Sequence, residues 1–178
     1  AIGDSKILRD INIDSKEKKI TIIAGNNGSG KTTLLKAMHG LIEDPSNSIS
    51  WANNSIKTIK ELQSMVFQNP ILLNRTTFEN ILYVANKKKT NEKNYVNKII
   101  EKLNIKDIAN IDARYLSGGE KQKVAIAMSI IGNPKIIFLD EPTSQLDPVY
   151  KHEIESIISS LVENDTKIFM TSHDISQI

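Results

Sequence analysis

The chain has no cysteine among its 178 residues. That excludes a disulfide framework and any thiolate-held metal, and it fits a reducing compartment. No apolar run approaches the ~18 residues that a bilayer-spanning helix needs. The first residues, AIGDSKILRD, have neither a basic nor an apolar region of the kind a signal peptide carries. Charge of one sign is also missing. Lysine and arginine total 23 against 21 acids, and a net charge of +2 is too small to imply a nucleic-acid partner. The run KKK at 87–89 is short enough to be a solvated loop or helix end. Neither an internal repeat nor a Gly/Ser linker divides the chain.

What remains is the composition of a globular domain, with 39% hydrophobic and 25% charged residues. One domain is expected, since a chain of this size buries roughly 68–70% of its unfolded surface. ITIIA at 20–24, SMVFQ at 64–68, KIIFLD at 135–140 and KIFMTS at 167–172 read as buried strands. Helical spacing appears in Leu34, Leu35, Met38 and Leu41, and again in Val96, Ile99, Ile100 and Leu103. A further helix is expected after Gly119, with Val124, Ala127, Met128 and Ile131 on one face. Asp147-Pro148 reads as N-cap and first residue of a helix carrying Ile154, Ile157, Ile158, Leu161 and Val162. Apolar strands alternating with helices predict an α/β fold with a mostly parallel sheet flanked by helices. The polar stretch 44–64, with pieces such as SISWA, predicts a small antiparallel β lobe.

Between the first strand and the first helix lies GNNGSGKTT. Gly25, Gly30, Lys31 and Thr32 fit the phosphate-loop pattern G-x-x-x-x-G-K-[ST]. Glycine lets the backbone approach a ligand closely. Successive N–H groups from Gly25, Asn26, Asn27, Gly28, Ser29 and Gly30 onward can then converge on an anion. The helix starting near Lys31, Thr32 and Thr33 adds its own unpaired N–H groups. Lys31 places a point charge toward the outer phosphates, and the Thr32 hydroxyl is placed to ligate Mg²⁺. A plain strand-to-helix turn would leave Lys31 solvated and would not need the full pattern.

IIFLDEPTS ends a buried strand on Asp140 and Glu141, where parallel sheets bind ligands. Asp140 can hold Mg²⁺ directly or through water, and Glu141 can orient or deprotonate a water. In LSGGE, Ser117, Gly118 and Gly119 place a hydroxyl and bare backbone at a second helix start. Ser117 with Glu120 three residues on is equally a capping box. Two glycines there cost helix stability relative to good helix formers.

In order along the chain stand the phosphate loop, Gln68 in VFQNP, LSGGE, IIFLDEPTS, SQLD at 144–147 and His173 in TSHD. This series resembles the nucleotide-binding subunit of an ATP-binding cassette (ABC) transporter over nearly the whole chain. The resemblance implies a P-loop NTPase fold, a single domain over 1–178, and a helical subdomain at about 70–130 carrying the LSGGE signature. It implies Mg²⁺-dependent ATP hydrolysis, with Gln68 contacting the metal and the attacking water and His173 contacting the γ-phosphate. His39 and His152 fit no motif and are expected to be structural or surface residues. Two copies would pack head to tail, so that Ser117, Gly118 and Gly119 of one chain serve the ATP of the other. Further partners would be integral membrane permease subunits, with this chain peripheral on the cytoplasmic side of the inner membrane. A free-standing cassette resembles importers, and the loop sequences lean toward an oxyanion such as tungstate, molybdate or phosphate. A polar amino acid importer, a soluble non-transport ABC ATPase and a binding-only ATP sensor are the rival readings. The last is disfavoured by the intact Glu141.

The sequence also departs from the family pattern. Ile2 stands where an aromatic residue usually stacks on adenine. Glu120, Lys123 and Met128 replace the commoner Gln, Arg and Arg. The family normally has further segments before residue 1 and after residue 178, so either a minimal cassette or one trimmed at both ends is expected.

Overall fold

The computed structural model describes residues 8, 11–15, 19–42, 50–51, 54–55, 60–90, 93–162 and 166–173. Ile2, the expected adenine contact, lies outside the described residues. Among the described residues four strands form one sheet: β1 (Ile20–Ala24), β4 (Gln63–Val66), β5 (Ile136–Leu139) and β6 (Lys167–Ser172). Their order is β1-β6-β5-β4 and every pairing is parallel. The strand expected at 64–68 ends at Val66, so Gln68 lies beyond the sheet. A short antiparallel pair, β2 (Ser50–Trp51) and β3 (Asn54–Ser55), forms the small lobe.

Alternation along the strands explains why the sheet is covered on both faces. Ile137, Leu139, Ile168 and Met170 point into the larger core. Phe138 and Phe169 point to the other face, under Leu35 and Met38. The two rings stack with centroids 5.6 Å apart. The helix over them is α1 (Lys31–His39). It stops at Gly40, whose φ of 79° is open to glycine and closes the helix with bonds from Gly40 N–H to Ala37 O and Leu41 N–H to Lys36 O. Leu41, expected on the helical stripe, is therefore past the end and 49% exposed.

The larger core joins the sheet to α2 (Thr77–Lys87), α3 (Lys93–Lys102), α4 (Gly118–Ser129) and α5 (Pro148–Val162). Helix α2 lies inside the stretch of about 70–130 expected to be helical, but the apolar pattern predicts no helix at 77–87. Its signal was present as a capping box, in which Glu79 N–H donates to Thr76 Oγ1 and Thr76 N–H donates to Glu79 Oε2. Buried Asn80 on α2 ties down the segment before it, accepting from Leu73 N–H and donating to the carbonyls of Leu73, Arg75 and Thr76. Helix α3 buries Val96, Ile99 and Ile100 as its spacing predicts.

Helix α4 starts at Gly118 rather than after Gly119, and it is buried on several sides. Gln122, Ile126 and Ser129 are buried along with the expected Val124 and Ala127, because the helix lies between α2, α5 and β4. Ile131 is buried too, but beyond the helix. Asp147 caps α5 as expected, its Oδ1 accepting from Val149 and Tyr150 N–H at 3.0 and 3.2 Å.

Candidate active site

Parallel pairing brings the carboxyl ends of the strands level. Ala24 pairs with Ser172, Met170 with Leu139, and Leu139 with Val66. Gly25, Gln68, Asp140, Glu141 and His173 all follow those ends, so distant stretches of sequence meet on one edge of the sheet.

The glycine loop leaves β1 with Gly25 N–H on Ser172 O at 3.3 Å. Gly28 and Gly30 take φ values of 80° and 91°, which L residues with a side chain resist. Gly30 is the N-cap of α1, and no side chain caps that helix. Its first turn holds no acid either. The N–H groups and dipole of α1 thus face a position suited to an anion. Lys31 is only 7% exposed and reaches back across the loop. Its Nζ donates to Gly25 O at 2.8 Å and Asn26 O at 3.1 Å. It also pairs with Glu141 Oε1 at 3.2 Å.

Asp140 is 3% exposed and receives the Thr32 hydroxyl on Oδ1 at 2.9 Å. Glu141 has a φ of 45°, the left-handed region, unusual for a residue with a side chain. Such conformations cost about 1–3 kcal/mol and cluster at functional sites. Three groups converge on its carboxylate. Lys31 meets Oε1, while Gln68 Nε2 at 3.2 Å and His173 Nδ1 at 3.0 Å meet Oε2. Gln68 also bonds Ser144 Oγ at 3.2 Å. A cavity of about 140 Å³ opens beside Glu141, lined by Ser144, Leu146, Lys151 and His173 among others.

Among the described residues no cluster of three or more His, Cys, Asp or Glu could hold a metal. Thr32 Oγ1 and Asp140 Oδ1, 2.9 Å apart, are hard oxygen donors beside the loop. Mg²⁺ bound with phosphates uses such a sparse set, one or two carboxylates plus substrate oxygens and water. The residues therefore fit that ion. Gln68 is joined to Glu141 and Ser144 rather than to Thr32 or Asp140.

The signature segment is built differently from the first loop. The capping box is real: Ser117 Oγ accepts from Glu120 N–H at 3.3 Å, and Glu120 Oε2 accepts from Ser117 N–H at 2.7 Å. Ser117 and Gly118 are exposed, but Gly119 is buried. A Cβ on Gly119 would lie 2.5 Å from the Tyr150 ring. Close packing of α4 on α5 therefore accounts for the second glycine, whereas nothing among the described residues lies within 4 Å of a Cβ on Gly118. Among the described residues no hydrogen bond joins Ser117, Gly118 or Gly119 to the phosphate loop.

The parallel sheet, the loop at Gly25–Thr32 and the acids beyond β5 have known counterparts. The profile of a family described as ABC transporter matches residues 8–144. The chain belongs to the ABC transporter family. It is 34% identical to a tungstate uptake system ATP-binding protein from Peptoclostridium acidaminophilum, over 98% of this chain and 84% of that protein. It is 32% identical to a lantibiotic transport ATP-binding protein from Streptococcus pyogenes, over 99% of this chain and 77% of the other. The structure of cbiO1 from Clostridium perfringens, part of the ABC transporter complex cbiONQ, superimposes with a TM-score of 0.81 at 29% identity, covering 95% of this chain and 72% of that one. This ABC chain has the P-loop NTPase fold and is an ATP-binding, ATP-hydrolysing transport subunit.

One residue of this ABC site escaped the motif reading. Thr171, fully buried, bonds both Asp140 and Glu141. It opens the TSHD stretch quoted for His173, and its own signal is a hydroxyl near the carboxyl end of an apolar strand. In place of the family's arginine, Lys123 pairs with Glu153 at 2.5 Å and stacks 5.1 Å from the Tyr150 ring centroid.

Proposed function

We propose that this ABC subunit hydrolyses Mg²⁺-ATP by in-line attack of water on the γ-phosphate, and that two copies working head to tail drive import of a small oxyanion through membrane permease subunits. The observation that carries the chemistry is the convergence of Lys31, Gln68 and His173 on Glu141, next to the Thr32–Asp140 pair. In this reading the loop amides and Lys31 hold the phosphates. Glu141 orients the water and takes its proton, and Gln68 and His173 fix the Glu141 carboxylate. Thr32 and Asp140 hold Mg²⁺, which when bound neutralises charge on the phosphate oxygens. Catalysis is then positioning and charge compensation.

The exposed Ser117 and Gly118 support a role across a dimer, since among the described residues no hydrogen bond joins them to the loop of their own chain. The oxyanion cargo is supported by likeness to the tungstate uptake protein. The lantibiotic relative is nearly as similar, so likeness alone does not select the cargo. For the permease, the supporting surface is an apolar cavity of about 300 Å³ beside Gln68, lined in part by Val66, Phe67, Ile71 and Met128.

The mechanism is tested with Glu141→Gln. ATPase activity should fall about 10²- to 10⁴-fold, the usual contribution of general acid–base catalysis, while ATP binding persists. Equal rates in the two proteins would remove the mechanism. On gel filtration, Glu141→Gln should shift from one copy to two when ATP is added; an unchanged elution volume would count against the paired sites.

A further inference from the structure

Thr171 lies on β6, with its backbone paired to Ile23 of β1. On its other side β5 gives out at Leu139, which pairs with Met170. The Thr171 side chain stands where the sheet ladder is replaced by the turn into Asp140 and Glu141. It is 0% exposed. Its hydroxyl makes two bonds of opposite sense. It donates to Asp140 Oδ1 at 2.8 Å and accepts from the Glu141 N–H at 2.8 Å. A threonine hydroxyl has one hydrogen to give, and here it goes to the carboxylate while a lone pair takes the amide. Valine has nearly the same shape and could do neither.

Those two bonds grip the peptide between the two acids. The held amide belongs to Glu141, the residue with the left-handed φ of 45°. A hydrogen bond to that amide stabilises the unusual backbone conformation, and that conformation directs the Glu141 carboxylate toward Lys31, Gln68 and His173. The second bond orients the carboxylate that Thr32 also meets. We propose that Thr171 is a positioning residue for ATP hydrolysis: through one hydroxyl it sets the backbone of Glu141 and the carboxylate of Asp140 together. This rests on the reading of Glu141 and Asp140 given above.

The experiment compares Thr171→Val and Thr171→Ser with the wild type and with Glu141→Gln in the same ATPase assay. Thr171→Val should lower kcat about 10- to 100-fold, as expected for misplacement of a reacting group, and should leave KM for ATP within about 2-fold. Thr171→Ser keeps the hydroxyl and should restore kcat to within about 3-fold of wild type. Binding of a fluorescent ATP analogue, with and without Mg²⁺, supplies a readout free of turnover. Thr171→Val should bind it within about 2-fold of wild type under both conditions, which places the loss in kcat. Should Thr171→Val not fold, Thr171→Ala replaces it with the same expected pattern. A Thr171→Val kcat equal to wild type overturns the proposal, as does a serine variant as slow as the valine one. A full-speed Glu141→Gln enzyme would instead overturn the underlying reading of Glu141, whatever Thr171 does.

Discussion

At Gly119 the absence of a single carbon decides how two helices meet. A Cβ at this position would clash with Cγ and Cδ1 of Tyr150, both at 2.5 Å, and would sit 3.0 Å from the Tyr150 Cβ, which moves only with the α5 backbone. Gly119→Ala should therefore destabilise the fold by about 1–3 kcal/mol, the usual cost of overpacking. Chemical denaturation would measure it, and in a Tyr150→Ala background the added cost of the alanine should shrink. Lys31 illustrates a different residue-scale economy. Its three donor hydrogens are shared among two loop carbonyls and the Glu141 carboxylate, so a single ammonium links the phosphate loop to the acids beyond β5. That link spans a long stretch of sequence, and no motif spacing states it.

Among the elements, α1 carries the clearest pH-dependent contribution. His39, in its last turn, packs edge-on against Phe138 with ring centroids 5.7 Å apart. A helix C-terminus favours a cation. Burial wins here, aided by the nearby charges of Lys60 and Lys88, and holds the His39 pKa below its ordinary value of 6.5. The unfolded chain accepts a proton that the folded chain resists. Stability from this site is thus fully present above 6.5 and is lost as pH falls through the lower folded value. The melting temperature should drop between about pH 7.5 and about pH 5, and His39→Gln should show a smaller drop because it has nothing to titrate. Equal drops would remove His39 as a source. In α2 the informative element is the approach to the helix. Asn80 satisfies four backbone groups of the segment after Gln68, which gives a loop with little secondary structure one defined path.

For the molecule as a whole, the catalytic edge and the apolar cavity of about 300 Å³ are neighbours through the segment that follows β4. Gln68 turns toward Glu141, whereas Ile71 in the same segment is 93% exposed at the cavity. If a permease segment seats there, Ile71→Asp should abolish co-purification with the membrane subunits and ATP-driven uptake. Basal ATPase activity of the isolated subunit should stay within about 2-fold, because Ile71 touches none of the groups that position the reaction. Retained co-purification would move the permease contact elsewhere. None of the described helices is long and apolar enough to cross a membrane.

Local pattern settled much of this protein in advance. Alternating apolar strands and helices imply an α/β sheet, Gly25 to Thr32 imply a phosphate loop, and Asp147-Pro148 imply a helix start, because each depends on neighbours within a few residues. Helix α2 was legible in Thr76 and Glu79 as well, though its apolar stripe is masked by the polar Thr77 and Asn80 that it buries. Other features depend on contacts between segments remote in sequence. The packing of Gly119 under Tyr150, the shared grip of Lys31, Gln68 and His173 on Glu141, and the two hydrogen bonds from Thr171 to the paired acids are of this kind. Only the tertiary structure could decide them, since a hydrogen bond or a steric clash is set by separations of a few ångströms that strand order and register create.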